Sequence, residues 1–172
     1  MWSYNNPVRV LFGNDGLASI APLIDGRPYA LVTYADAPFR ALAEQVTKEA
    51  GKPLIVVNDI APNPDCKLLS EQSARFASLP SEPELIVALG GGSVIDSAKV
   101  FAAAAGDFSN KVLHYLETGA GGSALSAIPI IAVPTTAGTG SEVTSWATVW
   151  DEERGRKFLP CARNPVSRNR RY

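Results

Sequence analysis

The chain has 172 residues, of which 46% are hydrophobic and 19% charged, with a formal net charge of −1. Those values describe one ordinary globular domain with a proper core. They exclude the basic footprint of a nucleic-acid binder, and no apolar stretch approaches the length that crosses a bilayer.

The pattern along the chain alternates in the manner of an α/β protein. Asn6 to Phe12 alternates as an early edge strand and ends at Gly13-Asn14-Asp15-Gly16. Leu17 to Ile24 reads as an amphipathic helix closed by Asp25-Gly26, and Tyr29 to Thr33 as a short buried strand. Pro38 to Ala50 has helical spacing through Phe39, Leu42, Val46 and Ala50, and stops at Gly51, a residue suited to a helix C-terminus. Pro53 to Asn58 is a second buried strand, Ala61-Pro-Asn-Pro-Asp65 a rigid turn, and Asp65 to Leu79 a helix.

Leu85 to Leu89 is a wholly apolar run that empties into Gly90, Gly91 and Gly92, after which a helix runs from Ser93 to about Ala105. An apolar run of this kind reads as a strand buried on both faces. Glycines allow a tight turn and let a ligand approach the backbone. Ser93 is placed to cap the helix, with Asp96 at the position of a capping-box partner. The free amides and the positive end of the helix dipole then suit a pyrophosphate. The same glycines also serve a plain close-packed turn, and their spacing is not the G-x-G-x-x-G fingerprint.

His114, the only histidine, lies in a short half-apolar helical segment from Lys111 to Glu117 and reads as a surface or packing residue. Gly119 to Ser123 reads as a loop, and Ile128 to Val133 as the next apolar strand, with Pro129 near its start. Pro134-Thr-Thr-Ala-Gly-Thr-Gly-Ser-Glu142 follows. Its Thr135, Thr136, Thr139 and Ser141 place four hydroxyls on one loop after a strand. Ligands of an open parallel sheet gather at the carboxyl ends of its strands, and hydroxyls can donate to phosphate or amide groups there. A turn satisfying its own backbone is the plainer reading. Val143 to Trp150 alternates like a strand, and Arg156 to Leu159 returns as the second arm of a hairpin. The expected fold is therefore a Rossmann-like, mainly parallel sheet with helices on both faces and a C-terminal β-hairpin. Residues 1–159 form the dinucleotide-binding domain, and the arginine-rich stretch 160–172 is a disordered tail. Cys66 and Cys161 have no metal-type spacing and read as free thiols. With no charged-then-apolar pattern over Met1 to Asn6, the cytoplasm is the expected compartment.

Gly-Gly-Gly-Ser-Val-Ile-Asp-Ser-Ala-Lys (90–99) and Pro-Thr-Thr-Ala-Gly-Thr-Gly-Ser-Glu-Val-Thr (134–144) together resemble the iron-containing (group III) alcohol dehydrogenases, which share the dehydroquinate-synthase-like fold. Phe12-Gly13, Pro62-Asn63-Pro64 and Asp151 to Phe158 support the resemblance, which runs from about Asn6 to Phe158. It implies hydride transfer between NAD or NADP and a small primary alcohol or aldehyde. It also implies that Gly91, Gly92 and Ser93 hold the pyrophosphate, Thr135 and Thr136 lie along the adenosine half, and Thr139, Ser141 and Thr144 line the path to the nicotinamide. Asn63 and Lys157 match positions that can touch the cofactor. Asp96 and Lys99 fit the family pattern, or serve as a helix cap and a solvated lysine. The run Trp146 to Asp151 resembles a subgroup that reduces small aldehydes, phosphonate-linked ones included.

The chain departs from the family in two places. Many members carry an aspartate after the first strand of the sheet, where it reads the ribose hydroxyls; here the residue is Tyr34, with Asp36 and Arg40 nearby, which leaves NADP open. The family continues into an all-helical domain that supplies an aspartate and three histidines to iron or zinc, whereas this sequence leaves the pattern near Leu159 as if the frame had shifted or the gene been cut. No catalytic residue and no metal ligand is therefore assigned within it, and the chain by itself is expected to be inactive. The alternative is a truncated, non-catalytic nucleotide-binding module or a self-associating one, which leaves a homo-oligomer open.

Overall fold

The structure, a computed structural model, describes residues 6–122, 125 and 127–158. Its centre is a four-stranded sheet of β1 (Tyr29–Val32), β2 (Ile55–Val57), β3 (Leu85–Gly90) and β4 (Ile130–Pro134), in the order β2-β1-β3-β4. Every neighbouring pair is parallel. α1 (Ile20–Ile24) precedes the sheet; parallel strands require crossovers, and α2 (Ala37–Ala50), α3 (Cys66–Ala77) and α4 (Gly92–Ala104) supply them. A π-helical stretch, Phe108–Leu113, runs into α5 (His114–Thr118).

Side chains on a strand alternate between faces, and the two central strands divide cleanly on that rule. Ala30, Val32, Ile86 and Ala88 pack with Leu69, Phe76, Val94, Ile95, Ala98 and Phe101 of α3 and α4. Tyr29, Leu31, Leu85, Val87 and Leu89 pack with Ile20, Ile24 and Val46 of α1 and α2. Both faces are thus covered, as expected. α4 lies especially close to the sheet: a Cβ on Gly90 would stand 2.6 Å from Val94 Cγ2.

Several expectations need correction. Residues 6–12 form no strand, and Val8, Val10, Leu11 and Phe12 are exposed. An alternating pattern becomes a strand only when another strand completes its ladder, and no described residue does so. The second strand is shorter than expected and is an edge, which leaves Val56 exposed. The strand after Pro129 is likewise half-buried, because it too closes one side of the sheet. Of the stretch Val143 to Trp150, Val143 ends a 3₁₀ turn (Ser141–Val143), and only β5 (Val149–Asp151) is extended as a strand; it pairs antiparallel with β6 (Arg156–Phe158) in the expected hairpin. The expected helix from Leu17 opens as a 3₁₀ turn, Gly16–Ser19. Ser123 of the expected loop, Leu159, Cys161 and the stretch 160–172 lie outside the described residues.

Candidate functional site

β3 and β4 deliver the site. Gly90 is the register partner of Pro134, so the glycine turn and the hydroxyl loop leave the sheet side by side at its carboxyl rim. The Thr135 amide donates to the Gly90 carbonyl at 3.1 Å and extends the ladder by one step past β4.

Beyond that bond the two loops run too close to leave room for a side chain on the glycines. A Cβ on Gly91 would lie 3.0 Å from Thr136 Oγ1. A Cβ on Gly92 would lie 3.1 Å from Thr139 Cγ2, 3.2 Å from Thr139 Oγ1 and 3.3 Å from Ser141 Oγ. Here the glycines serve close approach rather than unusual backbone angles, since Gly91 has φ −84°. Ser141 is buried, whereas Thr135, Thr136, Thr139 and Thr144 remain exposed at the rim.

The helix start differs from the one read in the sequence. Gly91, not Ser93, is the N-cap of α4, and no side chain caps it. The first intrahelical bond runs from the Ile95 amide to the Gly91 carbonyl. Helix geometry therefore leaves the amides of Gly92, Ser93 and Val94 without an acceptor inside the helix, at its positive end. Ser93 Oγ instead accepts from the Asn63 main-chain amide at 3.3 Å. Asn63 adopts φ 58°, a left-handed conformation that asparagine tolerates better than most residues. That conformation turns the Pro62-Asn63-Pro64 corner toward α4. The hairpin docks on the same corner, with the Trp150 amide donating to the Pro64 carbonyl at 2.8 Å and the Glu152 amide to Asp65 Oδ2 at 3.1 Å. Lys157 sits on this hairpin with its ammonium 5.0 Å from the centre of the Trp150 ring.

Asp96 and Lys99 are the residues whose surroundings the sequence did not reveal. Asp96 caps nothing; it is buried, and Oδ2 accepts from the Thr148 amide at 2.9 Å. Lys99 is not a solvated lysine, for its side chain is only 16% exposed. Its Nζ donates to Asp96 Oδ1 at 3.3 Å, to Thr144 Oγ1 at 3.4 Å and to the Trp146 carbonyl. Burial pulls the Lys99 pKa below the usual lysine value, and the Asp96 carboxylate opposes the shift. The available signal was an Asp and a Lys three apart on a helix whose only other polar side chains are Ser93 and Ser97.

At the end of β1, Tyr34 packs edge-on against Phe39 with centroids 4.9 Å apart. Tyr34, Ala35 and Arg40 line a cleft of about 660 Å³ beside α2. Asp36 is the N-cap of α2, and its side chain makes no capping bond. Among the described residues no group of three or more His, Cys, Asp or Glu could hold a metal ion, and no helix is long and apolar enough to cross a membrane.

A parallel α/β domain with a glycine turn and a hydroxyl loop brought together at one rim is the fold of the N-terminal part of solved alcohol and aldehyde oxidoreductases. The chain belongs to the iron-containing alcohol dehydrogenase family, whose pattern matches residues 7–166. It is 42% identical over 113 residues to choline dehydrogenase of Bacillus subtilis (strain 168), a match covering 64% of this chain and 27% of that protein. It is 31% identical over 167 residues to the NADPH-dependent aldehyde reductase YqhD of Escherichia coli (strain K12), covering 91% of this chain and 41% of the other. The crystal structure of sulfoacetaldehyde reductase from Bifidobacterium kashiwanohense in complex with NAD+ superposes with a TM-score of 0.81 at 28% identity, covering 94% of this chain and 43% of that one. The chain thus spans well under half the length of these relatives.

Proposed function

We propose that this chain binds a nicotinamide dinucleotide, NAD or NADP, at the shared rim of β3 and β4. In this reading it is the cofactor-binding part of a metal-dependent alcohol dehydrogenase or aldehyde reductase acting on a small primary alcohol or its aldehyde. The close approach of Thr139 and Ser141 to Gly92 supports the reading, because only a residue without a Cβ leaves room for that approach beside the helix's first amides. Gly91, Gly92 and Ser93 hold the pyrophosphate; Thr135 and Thr136 lie along the adenosine half; Thr139, Ser141 and Thr144 lead toward the nicotinamide. Asn63 and Lys157 flank them from the Pro62–Pro64 corner and the hairpin. The bound cofactor supplies or accepts hydride, and this chain's residues orient it.

The family's name implies iron, and the described residues do not fit a metal site. The 172-residue chain is accordingly proposed to bind dinucleotide without turning over alcohols. Residues 1–159 form the binding domain in this reading, with 160–172 as a tail. The cytoplasm is the proposed compartment, consistent with the free thiol of Cys66. Association with a second copy is part of the proposal, supported by the exposed Val8, Val10, Leu11 and Phe12.

Thermal denaturation with millimolar NAD(H) or NADP(H) tests the reading, since a ligand bound only by the native state raises the melting temperature. A shift with either dinucleotide is expected. Unchanged melting with both would overturn the proposal.

A further inference from the structure

We infer that Asp96 and Lys99 are positioning residues that hold the hydroxyl loop in register with the glycine cradle, and so tune dinucleotide affinity without touching the ligand. The inference rests on the binding function proposed above. α4 carries two things at once: its first turn presents the free amides, and its second and third bear the charged pair. Residues 144–148 form no helix and no strand beyond one bridge residue, Trp146, so side-chain anchors add to the few main-chain bonds that hold them.

The anchors come from α4. Asp96 Oδ2 holds the Thr148 amide, and Lys99 holds the Trp146 carbonyl. Lys99 also donates to Thr144 Oγ1, which in turn donates to the Ser141 carbonyl at 3.4 Å. Ser141 Oγ is one of the atoms that a Cβ on Gly92 would meet, at 3.3 Å. A relay of Lys99, Thr144 and Ser141 thus returns to the cradle on the same helix. The loop approaches α4 closely at Gly92, where only the missing Cβ leaves it room, and is held to the same helix by charged hydrogen bonds at Asp96 and Lys99, the stronger kind.

A pair that served stability alone would change melting and leave affinity intact at temperatures where every variant is folded. The test therefore measures NADH and NADPH dissociation constants well below the melting temperature for the wild type, D96A, K99M and D96N. D96A and K99M are expected to weaken binding by about tenfold or more, the scale of a lost charge-assisted bond. D96N keeps an oxygen for the Thr148 amide and should recover much of the D96A loss. Hydrogen exchange supplies the second readout: D96A should expose the Thr148 amide while the amides of β3 stay protected. Equal affinity in all four proteins, with only melting changed, overturns this inference alone. Should D96A fail to fold, D96N and K99M decide the matter by the same comparison. Failure of the wild type to bind either dinucleotide overturns the underlying reading as well.

Discussion

The Asn63 main-chain amide donates to Ser93 Oγ at 3.3 Å, a bond that joins the turn after β2 to the first turn of α4 across thirty positions of sequence. Together with the seam at Gly91 and Gly92, it brings three separate segments to the rim: the Pro62–Pro64 corner, the glycine turn and the hydroxyl loop. The amides at the start of α4 lie where all three meet.

The first prediction concerns that seam. Gly92→Val places a Cβ 3.1 to 3.3 Å from Thr139 and Ser141 with two methyls beyond it, and the loop must give way. Overpacking of this kind costs about 1–3 kcal/mol, so dinucleotide affinity by calorimetry should fall by about tenfold or more. Gly16→Ala, which meets nothing within 4 Å, should leave affinity unchanged.

Cofactor preference should turn on the cleft beside α2. Tyr34 offers no carboxylate to repel a 2′-phosphate, and Arg40 is a cation in the same cleft. Arg40→Ala should weaken NADPH binding by several fold and NADH binding far less. Equal losses for the two dinucleotides would remove Arg40 from this role.

Cys66 should be a poorly reactive thiol. Burial, then the carboxylates of Asp151, Asp65 and Glu117, push its pKa up to about 11, overriding its place at a helix start. At pH 8 only about one thiol in a thousand is ionised. A disulfide reagent should therefore modify native Cys66 far more slowly than the unfolded chain. The raised value also stabilises the fold fully below the ordinary thiol pKa of 9.0, and that contribution fades as pH climbs through about 11.

Arg75 and Asp59 form a two-pronged pair at 2.9 and 2.5 Å, and the hydrogen bonds from Arg75 hold the Asp59 carboxyl below its usual value of 3.8. The folded-state value is depressed, so the stabilisation is present above pH 3.8 and is lost as pH falls through the lower folded value. Both side chains are more than a third exposed, and solvent screens the pair; Arg75→Ala should cost less than about 1 kcal/mol at pH 7. Chemical denaturation at pH 7 and below pH 3 should show the difference between the proteins shrinking.

Ser73 is buried on α3 with its hydroxyl unpartnered among the described residues. Ser73→Ala removes a desolvated group without opening a large void. It should raise stability by about 1 kcal/mol, read as a higher denaturation midpoint.

The order and kind of the core elements were legible in the residues themselves. Apolar runs such as Leu85 to Leu89 are long enough, and bounded closely enough by glycine, that burial on both faces is their only economical state. The helix from Ala37 to Ala50 likewise carries its stop signal at Gly51. Two long motifs marked the rim where the glycine turn and the hydroxyl loop meet, because backbone freedom and hydroxyl density are local properties of a sequence. Pairing is not local. The alternation over Asn6 to Phe12 cannot announce whether another strand will complete it, and that over Val143 to Trp150 cannot foretell a loop tethered to a helix. Which strands would be edges was equally hidden, since Pro53 to Asn58 is as apolar as a central strand. Asp96 and Lys99 were visible as residue types, but their partners at Thr144, Trp146 and Thr148 lie some fifty positions away. Only the folded chain could bring those groups together, because a buried charge is tolerated only where distant partners have already been placed to receive it.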